Sequence, residues 1–450
     1  MNIILIIVDA LRPDHLAVNG YFRNTSPSID NLSKEGTSFL NCYTSLTRTD
    51  PSVTSILTGL YPHMHGVRMV YNNKLDPNIP SLPQILRDHG YKTAYIGEHV
   101  HKYGIERGFD NFLLLRWDIK NRIKKLVYGI TRPDEKIGAA YQYTGTAVSW
   151  IKKNMKNKFF VCLHYNELHW PYHSPFENIF DKDYNGKHDF NTLGDGKFIR
   201  GDIIFGNVKL PKEEVEHAIA HYDGNLKYID AQISKLFNFL DKNGLSDDTL
   251  IVLTSDHGEN FGEHGFYFQH GASLYQPSLK TPLIFKNSKI MPKGKKIEGN
   301  VQLVDIMPTV LEILNIPVID KIDGVSLWPL VKDQAEKARD FVFAESIEEH
   351  FPGNKRVYIK GIEGKWRTMV VDNWKIIYIP HPENGIFELY NLEKDPGETV
   401  NLIDKEKEIA SQMKKKILDF LRLQSNEGNV EISDLTEKSK KLLKKLGYIN

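Results

Sequence analysis

The chain has 450 residues, with 58 Lys and Arg against 57 Asp and Glu, so no global field draws it onto nucleic acid or an anionic membrane, and any bound anion must be held locally. That length is too great for one small core and predicts a large domain followed by a smaller one. Only two cysteines occur, Cys42 and Cys162; this excludes a disulfide framework and a metal-knuckle spacing and predicts a reducing, cytoplasmic setting.

In chain order, residues 3–8 are a continuous aliphatic run, which suits a central parallel strand buried on both faces. The run is too short for a signal peptide or a membrane span, and none longer follows, so no integral membrane segment is expected. Similar runs recur at 159–163 and 250–253, with 93–96 a weaker case. Between them lie helical patterns at 28–35, 82–89, 139–153 and 213–240. Strands alternating with helices predict a doubly wound α/β domain over residues 1–335, its sheet mostly parallel and flanked by helices.

From residue 336 to 450 the pattern changes. Short strand-like runs at 341–344, 356–360, 368–371, 375–379 and 387–390 predict a small antiparallel sheet, and terminal helices complete an α+β subdomain. The helical pattern at 405–423 and the basic stretch at 438–445 read as solvated surfaces rather than membrane contacts. No internal repeat is present.

Asp9 directly follows the first strand, at the edge where open α/β sheets place their ligands. Alone it would be an ordinary turn residue. Asp256 and His257 follow the 250–253 strand in the same way. Together the three supply two hard oxygens and a nitrogen, a set suited to Zn²⁺, Mn²⁺ or a similar divalent ion with a position left open. Thr49 stands where Pro51 can open a helix and Gly59 can end it, so it would sit at a helix N-terminus, a place that favours anions. A threonine hydroxyl is a poor nucleophile unless a metal or base activates it, and a plain N-cap is the competing reading.

Four strings give the chain a resemblance. They are Val8-Asp9-Ala10-Leu11-Arg12-Pro13-Asp14; Thr49-Asp50-Pro51-Ser52 through Leu57-Thr58-Gly59; Thr254-Ser255-Asp256-His257-Gly258-Glu259 with Gly262-Glu263-His264-Gly265; and Glu388-Leu389-Tyr390-Asn391-Leu392 through Asp395-Pro396-Gly397-Glu398. In this order and spacing they resemble the sulfatase family of the alkaline phosphatase superfamily across nearly the whole length. The resemblance implies a hydrolase that depends on a divalent metal (Zn, Mn, Ca or Mg), with Asp9, Asp256 and His257 as ligands and Thr49 as metal-facing covalent nucleophile. It also implies that His169 is a leaving-group acid or oxyanion donor. His270 would be a further substrate or metal contact, and His99, His101 or Lys102 would replace the anion contacts that the family carries in a Gly-Lys-x-His string. A second metal would need ligands such as Asp223, His264 and His270.

The departures bear on substrate. Sulfatases carry Cys or Ser, converted to formylglycine, where Thr49 stands, Arg where Val53 stands and usually a second Asp where Ala10 stands. Thr49 cannot become that aldehyde, which favours a phosphate mono- or diester over a sulfate ester, the substrate being a small molecule or glycan. Two alternatives remain: a phosphotransferase passing the Thr49-bound group to a sugar or glycerol hydroxyl, and a non-catalytic binding protein that keeps the fold. Oligomeric state is not readable from the sequence.

Overall fold

A computed structural model of the chain describes residues 1–68, 74–98, 103–115, 138–170, 172, 174–176, 178–184, 210–318, 321–347, 365–379 and 385–427, the last five without their side chains. Its strands are β1 (Asn2–Val8), β2 (Thr37–Tyr43), β3 (Lys92–Gly97), β4 (Asn111–Leu114), β5 (Phe159–Tyr165), β6 (Thr249–Thr254), β7 (Asn260–Phe261), β8 (Tyr267–Gln269), β9 (Lys280–Lys286), β10 (Lys295–Gln302), β11 (Val342–Glu345), β12 (Arg367–Val371), β13 (Trp374–Ile379) and β14 (Ile386–Asn391). The helices that matter below are α1 (Pro27–Lys34), α2 (Thr49–Thr58), α3 (Leu82–Asp88), α4 (Ala139–Asn154), α5 (Lys212–Lys242), α6 (Ile306–Ile313) and α7 (Lys407–Glu427).

β1 has no solvent face. Ile3, Leu5 and Ile7 enter one apolar cluster with residues of α2, α3 and α6, while Ile4, Ile6 and Val8 enter another with residues of α1, α4 and α5. A strand buried on both faces needs helical layers on both sides, and the eight-stranded sheet β10-β2-β9-β6-β1-β5-β3-β4 has them. The expected doubly wound, mostly parallel sheet is present. From β6 to β4 all neighbours are parallel, whereas β9 runs antiparallel to both β2 and β6.

The strands β2, β9 and β10 were not among those expected. Thr37, Ser38 and Asn41 make β2 polar, Gly299 interrupts β10, and Pro282 argues against a strand in β9. Pro282 is tolerated because it sits where the pairing of β2 and β9 shifts register, and its carbonyl accepts a hydrogen bond from the Thr254 hydroxyl at 2.7 Å.

The second sheet, β11-β12-β13-β14, is antiparallel, as expected of the C-terminal part. One face, with Met369, Ile376 and Leu389, packs on Ala410, Met413 and Ile417 of α7. Its other face, with Val370, Ile377 and Tyr390, meets Phe266, Leu274, Tyr275 and Leu279 of the large unit. A buried ion pair pins that contact: the Lys375 ammonium donates to the Leu274 carbonyl at 2.6 Å and to Glu398 at 2.5 Å, and Glu398 accepts from the Gln276 N–H at 2.6 Å. The strand expected at 356–360 and the basic stretch at 438–445 lie outside the described residues. Among the described residues no helix is long and apolar enough to cross a membrane.

Candidate metal and active site

β1 and β6 are adjacent and parallel, so the residues that follow them emerge side by side at one edge of the sheet. Hydrogen bonds lock the two ends together: the Leu11 N–H donates to Ser255 Oγ at 3.0 Å and the Ala10 N–H to Asp256 Oδ1 at 3.3 Å. Ala10 takes a left-handed backbone (φ 58°), a conformation uncommon for residues with a Cβ. Gly258 is required for space, since a Cβ there would lie 1.9 Å from the Pro277 carbonyl oxygen.

Asp9, Asp256 and His257 are fully buried. His257 Nε2 lies 3.5 Å from Asp9 Oδ1, 3.5 Å from Asp256 Oδ2 and 3.3 Å from Thr49 Oγ1. Its other nitrogen, Nδ1, is 2.9 Å from the Gly258 carbonyl. As that oxygen only accepts, Nδ1 carries the hydrogen and the Nε2 lone pair faces the carboxylates, the tautomer that ligation requires. Burial pulls the His257 pKa down, against the charge of Asp256, which favours the neutral ring.

Among the described residues nothing donates a hydrogen bond to either oxygen of Asp9 or to Asp256 Oδ2. Buried carboxylate oxygens without donors are costly unless a cation compensates them. Burial raises the Asp9 pKa well above its usual range, and the charges of Asp256 and then Glu259 add to this. At Asp256 burial works in the same direction but is outweighed by His257, His164 and backbone N–H groups, and the net shift is downward. A divalent cation would reverse the penalty at Asp9. The donor set fits one.

α2 carries Thr49 at its first position, and Gly59 closes the helix in a left-handed conformation (φ 69°). The helix is buried throughout and rich in hydroxyl groups, and these are engaged. Ser52 Oγ donates to the Asp256 carbonyl at 2.6 Å, Thr54 to the Asp50 carbonyl at 2.7 Å and Thr58 to the Thr54 carbonyl at 2.7 Å. The Tyr103 hydroxyl also reaches the Asp50 carbonyl, at 2.8 Å. The first turn is therefore fixed from both sides of the site.

The structure brings His270 to the same place. Its ring stacks on His257 with centroids 4.0 Å apart, and Nδ1 lies 3.3 Å from the buried Glu259. His169 stands edge-on to His270, at 5.0 Å between centroids. It belongs to a turn in which its N–H donates to the Asn166 carbonyl at 3.1 Å; Asn166 in turn donates through Nδ2 to Glu98 at 3.0 Å, as the Tyr143 hydroxyl also does.

Asp223 and His264 do not join the site. Asp223 accepts from the Tyr21 hydroxyl at 2.6 Å and from Arg23 at 2.7 Å, and pairs with His15 at 2.7 Å. His264 stacks on Tyr275 at 3.6 Å and is half-buried. His99, His101 and Lys102 lie outside the described residues.

One residue at the centre was not anticipated. His164 on β5 offers a ring nitrogen that, with one oxygen each of Asp9 and Asp256, forms a group within 4.8 Å. Its Nδ1 is 2.9 Å from the Tyr95 hydroxyl. In the sequence it is one more position of a buried run; the pairing of His164 with Ile7 is what sets it beside Asp9.

Comparison with known proteins bears on the family and the fold. The profile of the family described as Sulfatase matches residues 1–316, and the one described as N-sulphoglucosamine sulphohydrolase, C-terminal, matches residues 262–423. An arylsulfatase of Clostridium perfringens is 26% identical, the match covering 94% of this chain and 92% of that protein. Arylsulfatase K of Xenopus laevis is 26% identical over 92% of this chain and 81% of its own. Among solved structures, the phosphonate monoester hydrolase of Agrobacterium radiobacter superposes with a TM-score of 0.77 at 19% identity, over 94% of this chain and 96% of that one. A protein solved with its substrate D-glucosamine-2-N,6-O-disulfate gives 0.75 at 20%, over 96% and 99%.

Proposed function

The chain belongs to the sulfatase family of ester-bond hydrolases, and on that premise we propose that it cleaves phosphate esters, with Thr49 as the nucleophile beside a divalent cation. The observation that carries this reading is the 3.3 Å approach of Thr49 Oγ1 to His257 Nε2, at the point where Asp9 and Asp256 converge. When bound, a cation held by Asp9, Asp256 and His257, with His164 as a further donor, would acidify the hydroxyl and offset the charge of the transferred group. Zn, Mn, Ca and Mg all remain open.

In this reading Oγ1 of Thr49 bonds to phosphorus as the ester P–O bond breaks. One proton passes in net from Thr49 to the leaving oxygen, with His169 delivering it. Water then attacks phosphorus in line, breaks the Oγ1–P bond and releases phosphate. The β-carbon of threonine bears a methyl group and cannot yield an aldehyde, so a sulfate ester on Thr49 would lack the elimination route open to an aldehyde hydrate. This favours phosphorus over sulfur, although the curated relatives above are named for sulfate esters.

The test is a parallel assay of 4-nitrophenyl phosphate, a 4-nitrophenyl phosphodiester, a 4-nitrophenyl phosphonate and 4-nitrophenyl sulfate, each with Zn, Mn, Ca or Mg. Faster turnover of a phosphorus ester, abolished in Thr49→Ala, is the expected result. Turnover of the sulfate alone would sink the preference for phosphorus.

A further inference from the structure

We propose that Arg48 grips the transferred anion and so acts as a catalytic residue, an assignment that rests on the reading of Thr49 as nucleophile. An anionic ester entering this site meets Asp9, Asp256 and Glu259, all fully buried, and needs a fixed cation besides any metal. α2 has none: its sequence is Thr-Asp-Pro-Ser-Val-Thr-Ser-Ile-Leu-Thr, and Val53 packs with Ile56 and Leu57 in the core.

Arg48 immediately precedes Thr49. Residues 42–62 are buried throughout with this one exception, so in that stretch only the Arg48 side chain reaches toward solvent. Its backbone is already fixed, extended at φ −149° and ψ 146°, with its carbonyl accepting the Ser52 N–H at 3.1 Å. The stem runs over Gly271, where a Cβ would lie 3.7 Å from Arg48 Cδ. Gly271 follows His270, whose ring stacks on His257. Arg48, Thr49, His257 and His270 are thus near neighbours. The positive charge of Arg48 is felt at both ligands, where it acts to lower the Asp9 and His257 pKa values. A guanidinium there presents a planar fork to two non-bridging oxygens of a phosphoryl group, which the point charge of a lysine does not match.

Inorganic phosphate is the probe. Phosphate affinity, by titration calorimetry in every protein and as a competitive inhibition constant where there is turnover, and kcat/KM for the best phosphorus ester are measured in the wild type, Arg48→Ala, Arg48→Lys and Thr49→Ala, with thermal midpoints alongside. In Arg48→Ala the inhibition constant should rise and kcat/KM should fall by about 10- to 100-fold, the size of a lost charge-assisted hydrogen bond. The lysine variant should lie between, and the midpoints should not move. Thr49→Ala should lose turnover yet bind phosphate as the wild type does. An unchanged phosphate inhibition constant in Arg48→Ala, with Thr49→Ala inactive, overturns the assignment of Arg48 alone; retained turnover by Thr49→Ala overturns the nucleophile reading instead.

Discussion

His270 lies face to face with His257, the planes 28° from parallel, while Glu259 accepts from its far edge at 3.3 Å. Glu259 is itself fully buried and raises the Asp9 pKa, after burial and Asp256. Removing that negative charge without changing shape should weaken a cation at Asp9. Glu259→Gln is expected to lower divalent-cation affinity about 10- to 100-fold, measured by titration calorimetry. Unchanged affinity would leave Glu259 a purely packing role.

Asp9 and Asp256 bear on stability through the same oxygens. Chelation should lower the thermal midpoint, and returning a cation to 100 times its Kd should restore about 2.7 kcal/mol. A midpoint indifferent to both treatments argues against any ion at this point.

Thr49→Ala removes a hydroxyl at the first position of a helix that is held elsewhere by Ser52, Thr54 and Thr58. Turnover should disappear while stability stays within about 1 kcal/mol of wild type. Denaturant unfolding separates the two effects; a large loss of stability would make Thr49 a structural residue.

The turn bearing His169 hangs on Glu98 through Asn166. Glu98→Ala should therefore imitate His169→Ala, slowing esters of poor leaving groups about 10- to 100-fold while sparing 4-nitrophenyl esters. Glu98→Gln keeps an accepting oxygen and should recover most of the rate. If every leaving group suffers equally in Glu98→Ala, the turn does not position an acid.

Glu167, in that turn, is buried and receives the Ala140 N–H at the start of α4. Burial pushes its carboxyl up from 4.5 to about 7, with the Glu98 charge adding and backbone N–H groups opposing. The folded state thus holds this proton more tightly than the unfolded chain does. Its contribution is fully favourable below about pH 4.5 and is lost as the pH rises toward 7. Glu167→Gln should gain up to roughly 3 kcal/mol over wild type at pH 8 and little at pH 4.5. Denaturant midpoints at the two pH values decide, and an equal difference at both would contradict the shift.

The parts of the fold that were legible in the sequence are those with a single environment along their length. β1, β5 and β6 are apolar on both faces, and their ends led directly to Asp9, Asp256 and His257. β2 escaped because Thr37, Ser38 and Asn41 make it polar, and β9 because it contains Pro282, which is tolerated where the register shifts. His164 escaped for a different reason: strand pairing, not spacing, sets it beside Asp9. Asp223 looked equally available as a ligand, yet Tyr21 and Arg23, some two hundred residues upstream, occupy its Oδ2 and His15 its Oδ1.

The grip of Lys375 and Glu398 on Leu274 and Gln276 has a bearing on what can be cut away. The segment they hold begins a few residues after His270, and the Ile347 N–H adds a bond to the Gly271 carbonyl at 2.9 Å. A chain shortened to end after β10 would retain every proposed ligand and the nucleophile, yet lose the scaffold against which His270 is seated. The smallest autonomous catalyst in this protein therefore includes its second sheet.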